Sequence, residues 1–445
     1  MADKRAGRAV CGLVITALVV ELAAAAPAAA DPASDAARLD KVLTQTPLID
    51  GHNDLPWELR ERFADKAASI DLQQGAGALM TDIPRLHKGH VGGQFWSVFI
   101  PVEIQGPLAV QVTIEQIDLV KSLARRYPAD LEVAYTAADV ARIHKAGRVA
   151  SMIGIEGGHQ INDSLPTLRQ MYALGARYMT LTHTKNTAWA DSATDKPVHH
   201  GLTPFGREVV REMNRLGMLV DLAHVSEDTM LDALQTSRAP VIFSHSSARA
   251  LVDNARNVSD DVLRLVAKNG GVVMINFYPG FDSDARFRWT AQRAGEQARL
   301  NAPTFGIDLG QPEKASAALK AWVQAHPEPP VTISDVADHI EHVRDIAGVD
   351  HVGLGSDFDG IPEAVSGLSS VDQFPALLLE LMRRGWTDAD IAKVAGGNVL
   401  RVMAEAERVS AQLQAQELPS TATLAQLDGP VAGAESQGAA RPPSR

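Results

Sequence analysis

One cysteine occurs in 445 residues, Cys11. It falls inside an N-terminal stretch that reads as a targeting segment, so the chain left after cleavage would have none. That excludes disulfides, a cysteine nucleophile and a thiolate metal site. A basic excess is missing too. The formal net charge is −12, which argues against a nucleic-acid-binding face. No apolar run beyond the leader is long enough for a transmembrane helix. The C-terminus has no hydrophobic end of the kind that signals a lipid anchor. What remains is 45% hydrophobic and 22% charged, ordinary for a soluble globular protein and long enough to bury a full core.

Residues 1–30 have the three parts of a signal peptide. Lys4, Arg5 and Arg8 form a positive start, Val10 to Val20 a short apolar run, and Ala28-Ala29-Ala30 a small-residue cleavage site. An exported protein, periplasmic or extracellular, is therefore expected; an uncleaved anchor is the alternative. Residues 31–409 carry the periodic pattern of a catalytic domain. Residues 410–445 are rich in Ala, Gln, Pro, Ser and Gly and read as a disordered tail.

Within the core, eight short apolar runs alternate with helical patterns. They are Pro47 to Asp50, Gln94 to Pro101, Ala150 to Ile155, Arg177 to Thr182, Met218 to Leu222, Pro240 to Ser244, Gly271 to Phe277 and His351 to Gly355. Several are nearly continuous Val, Ile and Leu, as in strands buried on both faces. Eight repeats predict an α/β fold, a (β/α)8 barrel of TIM type, with an open doubly wound sheet as the alternative. The connection from Tyr278 to Thr332 is a long insertion before the last strand, a lid or a surface decoration.

The ionisable residues sit where these runs end. His52 and Asp54 are two apart, so on an extended backbone they face one side. In a barrel that side is the mouth, where active sites lie. Glu156 follows a buried run, a costly place for a carboxylate unless a partner compensates it. His224 and His245 follow the fifth and sixth runs, His183 the fourth and Asp357 the eighth. Nitrogen and carboxylate ligands without thiolates suit zinc or another divalent first-row metal. Five ligands exceed the needs of one tetrahedral ion and suit two ions sharing a carboxylate. Such a pair can activate water. Asp357 is then placed to handle its proton, and His183 to stabilise an oxyanion. This describes a hydrolase of amides, esters or phosphoesters; spacing alone does not choose among them.

With these residues assembled, the chain resembles the membrane dipeptidase (renal dipeptidase) family of zinc peptidases, within the metal-dependent amidohydrolase barrels. The resemblance runs from about Pro47 to Val402. Its segments include IDGHNDLPW, GIEGGHQI, YMTLTHTKNTAWADS, SHSSARAL, RNVSDDVLRLV and HVGLGSDFDG. It implies two zinc ions per subunit, His52 and Asp54 on one, His224 and His245 on the other, Glu156 bridging both. It implies that His183 holds the scissile carbonyl's oxyanion, that Arg256 pairs with the substrate's C-terminal carboxylate, and that Asp357 handles the proton and contacts the free amine. Free dipeptides are the implied substrates, some with a D-residue second, and a homodimer the implied assembly. Related amides such as β-lactams, a barrel that only binds, and a glycosidase are the competing readings. His159, His199 and His200 are expected in supporting or surface roles, Trp57 and Trp189 lining the pocket or packing beneath it, and Asp359 as structural support.

Overall fold

The computed structural model describes residues 1, 2, 7, 32–63, 70–302, 308 and 310–429. The expected signal peptide lies almost wholly outside them. Nine strands are present among the described residues: β1 (Leu48–Asn53), β2 (Val91–Ser97), β3 (Leu131–Val133), β4 (Val149–Glu156), β5 (Ala176–Thr180), β6 (Leu219–Asp221), β7 (Ile242–Phe243), β8 (Val272–Ile275) and β9 (Val352–Leu354). Their order is β2-β1-β9-β8-β7-β6-β5-β4-β3, and β2 also pairs with β4. That last pairing closes eight parallel strands into a (β/α)8 barrel. The open doubly wound alternative is excluded.

The ninth strand, β3, was not anticipated. It is three residues long and only Leu131 is buried, so it lacks the apolar run that marks the others. It pairs with residues 149–151 of β4, on the edge whose far half, from Ile153 onward, belongs to β5.

Burying an aliphatic side chain stabilises the fold by about 1.5–3 kcal/mol, so near-continuous apolar strands choose the doubly covered position. The helices around them are set by local chemistry. Thr203 caps the helix Pro204–Leu216 by accepting from the Gly206 amide, and Gly217, at φ +81°, ends it. Gly270, at φ +82°, does the same for Asp260–Asn269. A residue with a Cβ would be strained at either place. Each turn delivers the chain directly into β6 or β8.

β7 and β9 give way at the rim for a shared reason. Beyond β7, the Ser244 amide donates to Asp221 Oδ1 at 2.8 Å rather than to a neighbouring strand. Beyond β9, the Ser356 amide donates to Asp50 Oδ1 at 2.7 Å. Buried carboxylates thus replace the backbone ladder at the barrel's C-terminal rim.

The insertion forms a short helix, Pro279–Asp282, then two long ones, Asp284–Leu300 and Pro312–Ala325. Trp289 and Trp322 meet between the long helices, ring centroids 6.1 Å apart. Arg286 is buried and ties the pair down through Glu328 and Glu363. Glu363 lies on the segment after β9, so the insertion is anchored to the mouth.

The C-terminal boundary needs correction. The helix Asn398–Gln414 runs past residue 409, with Ser410 and Leu413 buried. Leu424 is buried in turn. Asp428 accepts hydrogen bonds from Thr203 Oγ1 at 2.6 Å and the Phe205 amide at 3.0 Å. The Ala- and Gln-rich composition read as a tail is equally good helix material, and its few apolar residues suffice to anchor it. The rest of the expected tail, 430–445, lies outside the described residues. The same helix underlies the barrel's N-terminal end, where Arg401 donates to the Gly270 and Asp350 carbonyls just before β8 and β9.

Candidate metal centre

The candidate residues converge above the barrel's C-terminal rim. His52 ends β1 and is fully buried. Its Nε2 lies 3.1 Å from Asp54 Oδ2 and 3.4 Å from Glu156 Oε2. Its Nδ1 is 2.8 Å from the Tyr178 hydroxyl. Tyr178 reaches it across β4 only because residue 154 is glycine; a Cβ there would fall within the Tyr178 ring.

Glu156 is the hub. Oε2 faces His52 and accepts from Ser97 Oγ at 3.2 Å. Oε1 lies 3.0 Å from His224 Nε2, 3.5 Å from His245 Nε2 and 3.7 Å from His183 Nε2. His224 and His245 bring their Nε2 atoms to 3.0 Å of each other. Three overlapping triples have donor atoms within 4.8 Å: His52, Glu156 and His245; Glu156, His183 and His224; His52, Asp54 and Asp357. These do not sort into the expected pairs, because all seven side chains crowd one volume. His245 stands between the two halves, its ring centroid 3.9 Å from that of His52 and 5.0 Å from that of His224. His183 and Asp357 lie close enough to compete as ligands.

A cation fits this donor set. Asp54 Oδ1 is buried and has no hydrogen-bond partner in the protein, and His52 Nε2 meets only the carboxylates of Asp54 and Glu156, a state that an ion would relieve. Burial, and then Arg256, hold His224 well below the ordinary imidazole range. Burial, His52 and Arg256 do the same to His245. Both rings are therefore neutral and keep a lone pair. Burial alone would raise Glu156, but His52, His183 and His224 hold it well below the usual carboxylate range. Asp357 goes the other way. Burial pushes it up to about 8, with Asp54 and Glu156 adding to the rise against the opposing pull of His52. Asn276 Nδ2 donates to its Oδ2 at 3.0 Å.

His224, Asp357 and Asp359 all take left-handed backbone, φ +66°, +64° and +63°. That conformation is uncommon for residues with a Cβ and collects here at the mouth, as strained residues tend to at functional sites.

The mouth holds a cavity of about 410 Å³ whose lining includes Trp57, Phe99, Glu156, His183, His224 and Asp357. A larger hollow of about 690 Å³ opens at the opposite end, lined by Pro47, His90 and His144 among others. It is far from the converging histidines and carboxylates, which border the smaller cavity. Trp57 lines the mouth. Trp189 does not: it is fully buried and donates to Asp163. Asp359 both lines the cavity and accepts from the Met80 amide at 2.6 Å, supporting a loop. His159 is buried beside His183. His199 and His200 instead donate their amides to Asp191.

Arg256 is buried below the rim. Its donors reach Ser246 Oγ and the His245 carbonyl only at 3.4 Å, and its guanidinium stands 5.3 Å from the Phe281 ring centre. Burial lowers it to about 10, so it stays charged at neutral pH with donors to spare. Its loop is held by His339, whose Nδ1 accepts the Ala248 amide at 2.9 Å and whose Nε2 donates to the Asp282 carbonyl at 3.3 Å. Burial lowers His339 to about 4. Its neutral form is the folded one, so its contribution is complete above pH 6.5 and drains away as the pH falls towards 4. The loss should reach about 3 kcal/mol. Urea titrations at pH 7.5 and 4.5 should show it, and His339→Gln should flatten that part of the difference.

Sequence reasoning did not single out Tyr178, Ser244, Asp221 or Asp50, the groups beneath the ligands. A signal existed for two of them: Asp50 and Asp221 are carboxylates inside otherwise apolar strands.

Residues 36–417 match the family model described as membrane dipeptidase, peptidase family M19. The chain is similar to the crystal structure of the probable dipeptidase PvdM from Pseudomonas aeruginosa, at 25% identity, TM-score 0.72, over 85% of this chain and 100% of that one. It is similar to the dipeptidase AC, a metallopeptidase of family M19, at 25% identity and TM-score 0.67, over 81% and 99%. A metallopeptidase from Rhodobacter sphaeroides, liganded with a phosphinate mimic of the dipeptide L-Ala-D-Ala, shares the fold at 24% identity and TM-score 0.67, over 81% and 99%. With a family match over most of its length and a barrel whose mouth gathers metal-ligand side chains, the chain belongs to the membrane dipeptidase family, peptidase family M19, and with it to the metal-dependent dipeptidases.

Proposed function

We propose that the protein hydrolyses free dipeptides with two zinc ions, one held by His52 and Asp54, the other by His224 and His245, with Glu156 shared. The observation that carries this reading is the division of Glu156, one oxygen towards His52 and the other towards His224 and His245. When bound, such a pair supplies a water-derived nucleophile near neutral pH and a Lewis acid for the carbonyl.

The protein's own groups do the rest. Asp357, beside His52 and Asp54, is placed to take a proton and return it to the leaving amine. His183 is lowered by burial; as a neutral ring it can donate one hydrogen bond to a developing oxyanion. Arg256 offers a planar fork to the substrate's C-terminal carboxylate. That the Rhodobacter relative holds an L-Ala-D-Ala mimic supports acceptance of a D-residue at the second position. Residues 1–30 are read as an export leader and 31–429 as the folded catalytic unit. Among the described residues no helix is long and apolar enough to cross a membrane. A homodimer is the proposed assembly.

The test is a panel of L,L and L,D dipeptides, tripeptides and C-terminal amides, given to zinc-loaded and chelated protein. Cleavage confined to free dipeptides and lost on chelation is expected. About two zinc ions bound per chain without dipeptide cleavage would discard the substrate and move attention to β-lactams and other small amides.

Arg256→Ala should lower kcat/KM for free-carboxylate dipeptides by about 100-fold or more, as expected when one partner of a buried charge pair is lost. Amidated substrates, already poor, should change far less. Equal losses on both would remove Arg256 from carboxylate recognition.

A further inference from the structure

Beneath His245 lies a chain of hydrogen bonds whose direction follows, for an ionised Asp221, from counting protons. Asp221 ends β6 and is fully buried. Its Oδ1 accepts the Ala223 amide at 3.1 Å and the Ser244 amide at 2.8 Å. Its Oδ2 accepts Thr180 Oγ1 at 2.5 Å and Ser244 Oγ at 2.6 Å. Four donors converge on the carboxylate and oppose the rise that burial imposes on it; in its ionised form it has no proton of its own. It acts as an acceptor only.

Ser244 has a single hydroxyl proton, and it goes to Asp221. Yet Ser244 Oγ also lies 2.8 Å from His245 Nδ1. That contact can be a hydrogen bond only if His245 donates. Nδ1 then carries the ring's proton, and Nε2, the atom facing Glu156 and His224, keeps its lone pair.

We infer that Ser244 and Asp221 are positioning residues for the second metal site, fixing the tautomer and ring orientation of His245 through the relay Asp221–Ser244–His245. The inference rests on the proposed reading of His245 as a ligand. Partners of this kind usually bond the ligand ring directly; here a hydroxyl stands between carboxylate and imidazole.

The barrel contains its own control. Asp50, on β1, is held in the same manner by the Ser356 amide and by Ser356 Oγ at 2.7 Å. Ser356 Oγ accepts the Phe358 amide at 3.2 Å and stands 3.3 Å from the His52 carbonyl. It shares the architecture but orients no imidazole.

Two substitutions break the relay differently. Ser244→Ala removes the acceptor for Nδ1. Asp221→Asn keeps size and shape but has only one acceptor oxygen. If that oxygen stays with the two amides, the new NH2 group faces Ser244 Oγ and turns its hydroxyl proton towards His245. The ring would then be pushed to the Nε2–H tautomer, which cannot bind a metal through that atom.

The experiment is zinc competition against a chromophoric chelator on the full chain, with 15N-histidine spectra of the metal-free protein. Wild type should hold two zinc ions and His245→Ala one. Ser244→Ala should weaken one of the two zinc ions by about 10- to 100-fold and leave the other unchanged. Asp221→Asn should weaken the same ion further and shift the His245 resonances towards the other tautomer. Ser244→Thr should restore binding, and Ser356→Ala should not loosen that ion selectively. If Ser244→Ala folds poorly, the near-isosteric Asp221→Asn still decides the matter by tautomer and stoichiometry. Unchanged zinc affinity and tautomer in Asp221→Asn, beside a His245→Ala variant that has lost one ion, would overturn the relay alone. A His245→Ala variant that keeps both ions would overturn the ligand reading, and the relay with it.

Discussion

Glu156→Gln is expected to lose metal from both sides of the centre and to lower turnover by about three orders of magnitude or more. The amide keeps the shape of the carboxylate but not its charge, and turns an NH2 group towards imidazole nitrogens whichever way it sits. Glu156 stands within 3.0–3.7 Å of four histidines, so a change there reaches both halves of the site. Metal assistance supplies several kcal/mol of transition-state stabilisation, and each 1.4 kcal/mol is about a factor of ten. Metal content by elemental analysis and kcat on a dipeptide measure both arms. Full metal content with normal turnover would end the shared-carboxylate reading.

Asp357→Asn is expected to separate binding from chemistry. Its side chain is held by Asn276 at 3.0 Å and its neighbours are His52 and Asp54. An asparagine fits the same space but cannot take a proton. Turnover should fall by about 10²- to 10⁴-fold, the usual weight of a general acid–base group, with KM and metal content little changed. Loss of metal would instead assign Asp357 to the ligand set, a role its closeness to His52 and Asp54 allows.

The barrel and the convergence at its mouth were legible because one physical conflict marks both. A run such as Met152–Ile155 belongs in a core, and the Glu156 that follows it does not. Repeated at His52, His224, His245 and Asp357, that conflict points to one rim. β3 was not legible, since Leu131–Val133 has too little apolar surface to announce a strand. The end of the folded unit was misplaced because a few contacts, Ser410, Leu413, Leu424 and Asp428, anchor a segment whose composition reads as tail. The groups beneath the site were hidden for another reason. Ser244 and Tyr178 act through hydrogen bonds between strands far apart in sequence, and no local pattern records such a partner.

The shortness of β7 has a consequence for how the protein comes apart. It is two residues long, and its register with β6 rests on the single pairing of Asp221 with Ile242. Much of that seam is sewn by side chains of Asp221 and Ser244 rather than by backbone. Proteins open in cooperative segments well below the free energy of global unfolding, and sparsely laddered segments open first. Deuterium should therefore enter the amides flanking β6 and β7 earlier than those of β2 and β4, where the ladder is longest. His224 and His245 follow β6 and β7, so an opening there would draw both away from Glu156 while most of the molecule remains native. Inactivation by mild denaturant would then run ahead of the loss of helix signal; the seam of β1 with β9, resting on the single pairing of Asp50 with Leu354 and on Ser356, is the other place where the barrel is built this way.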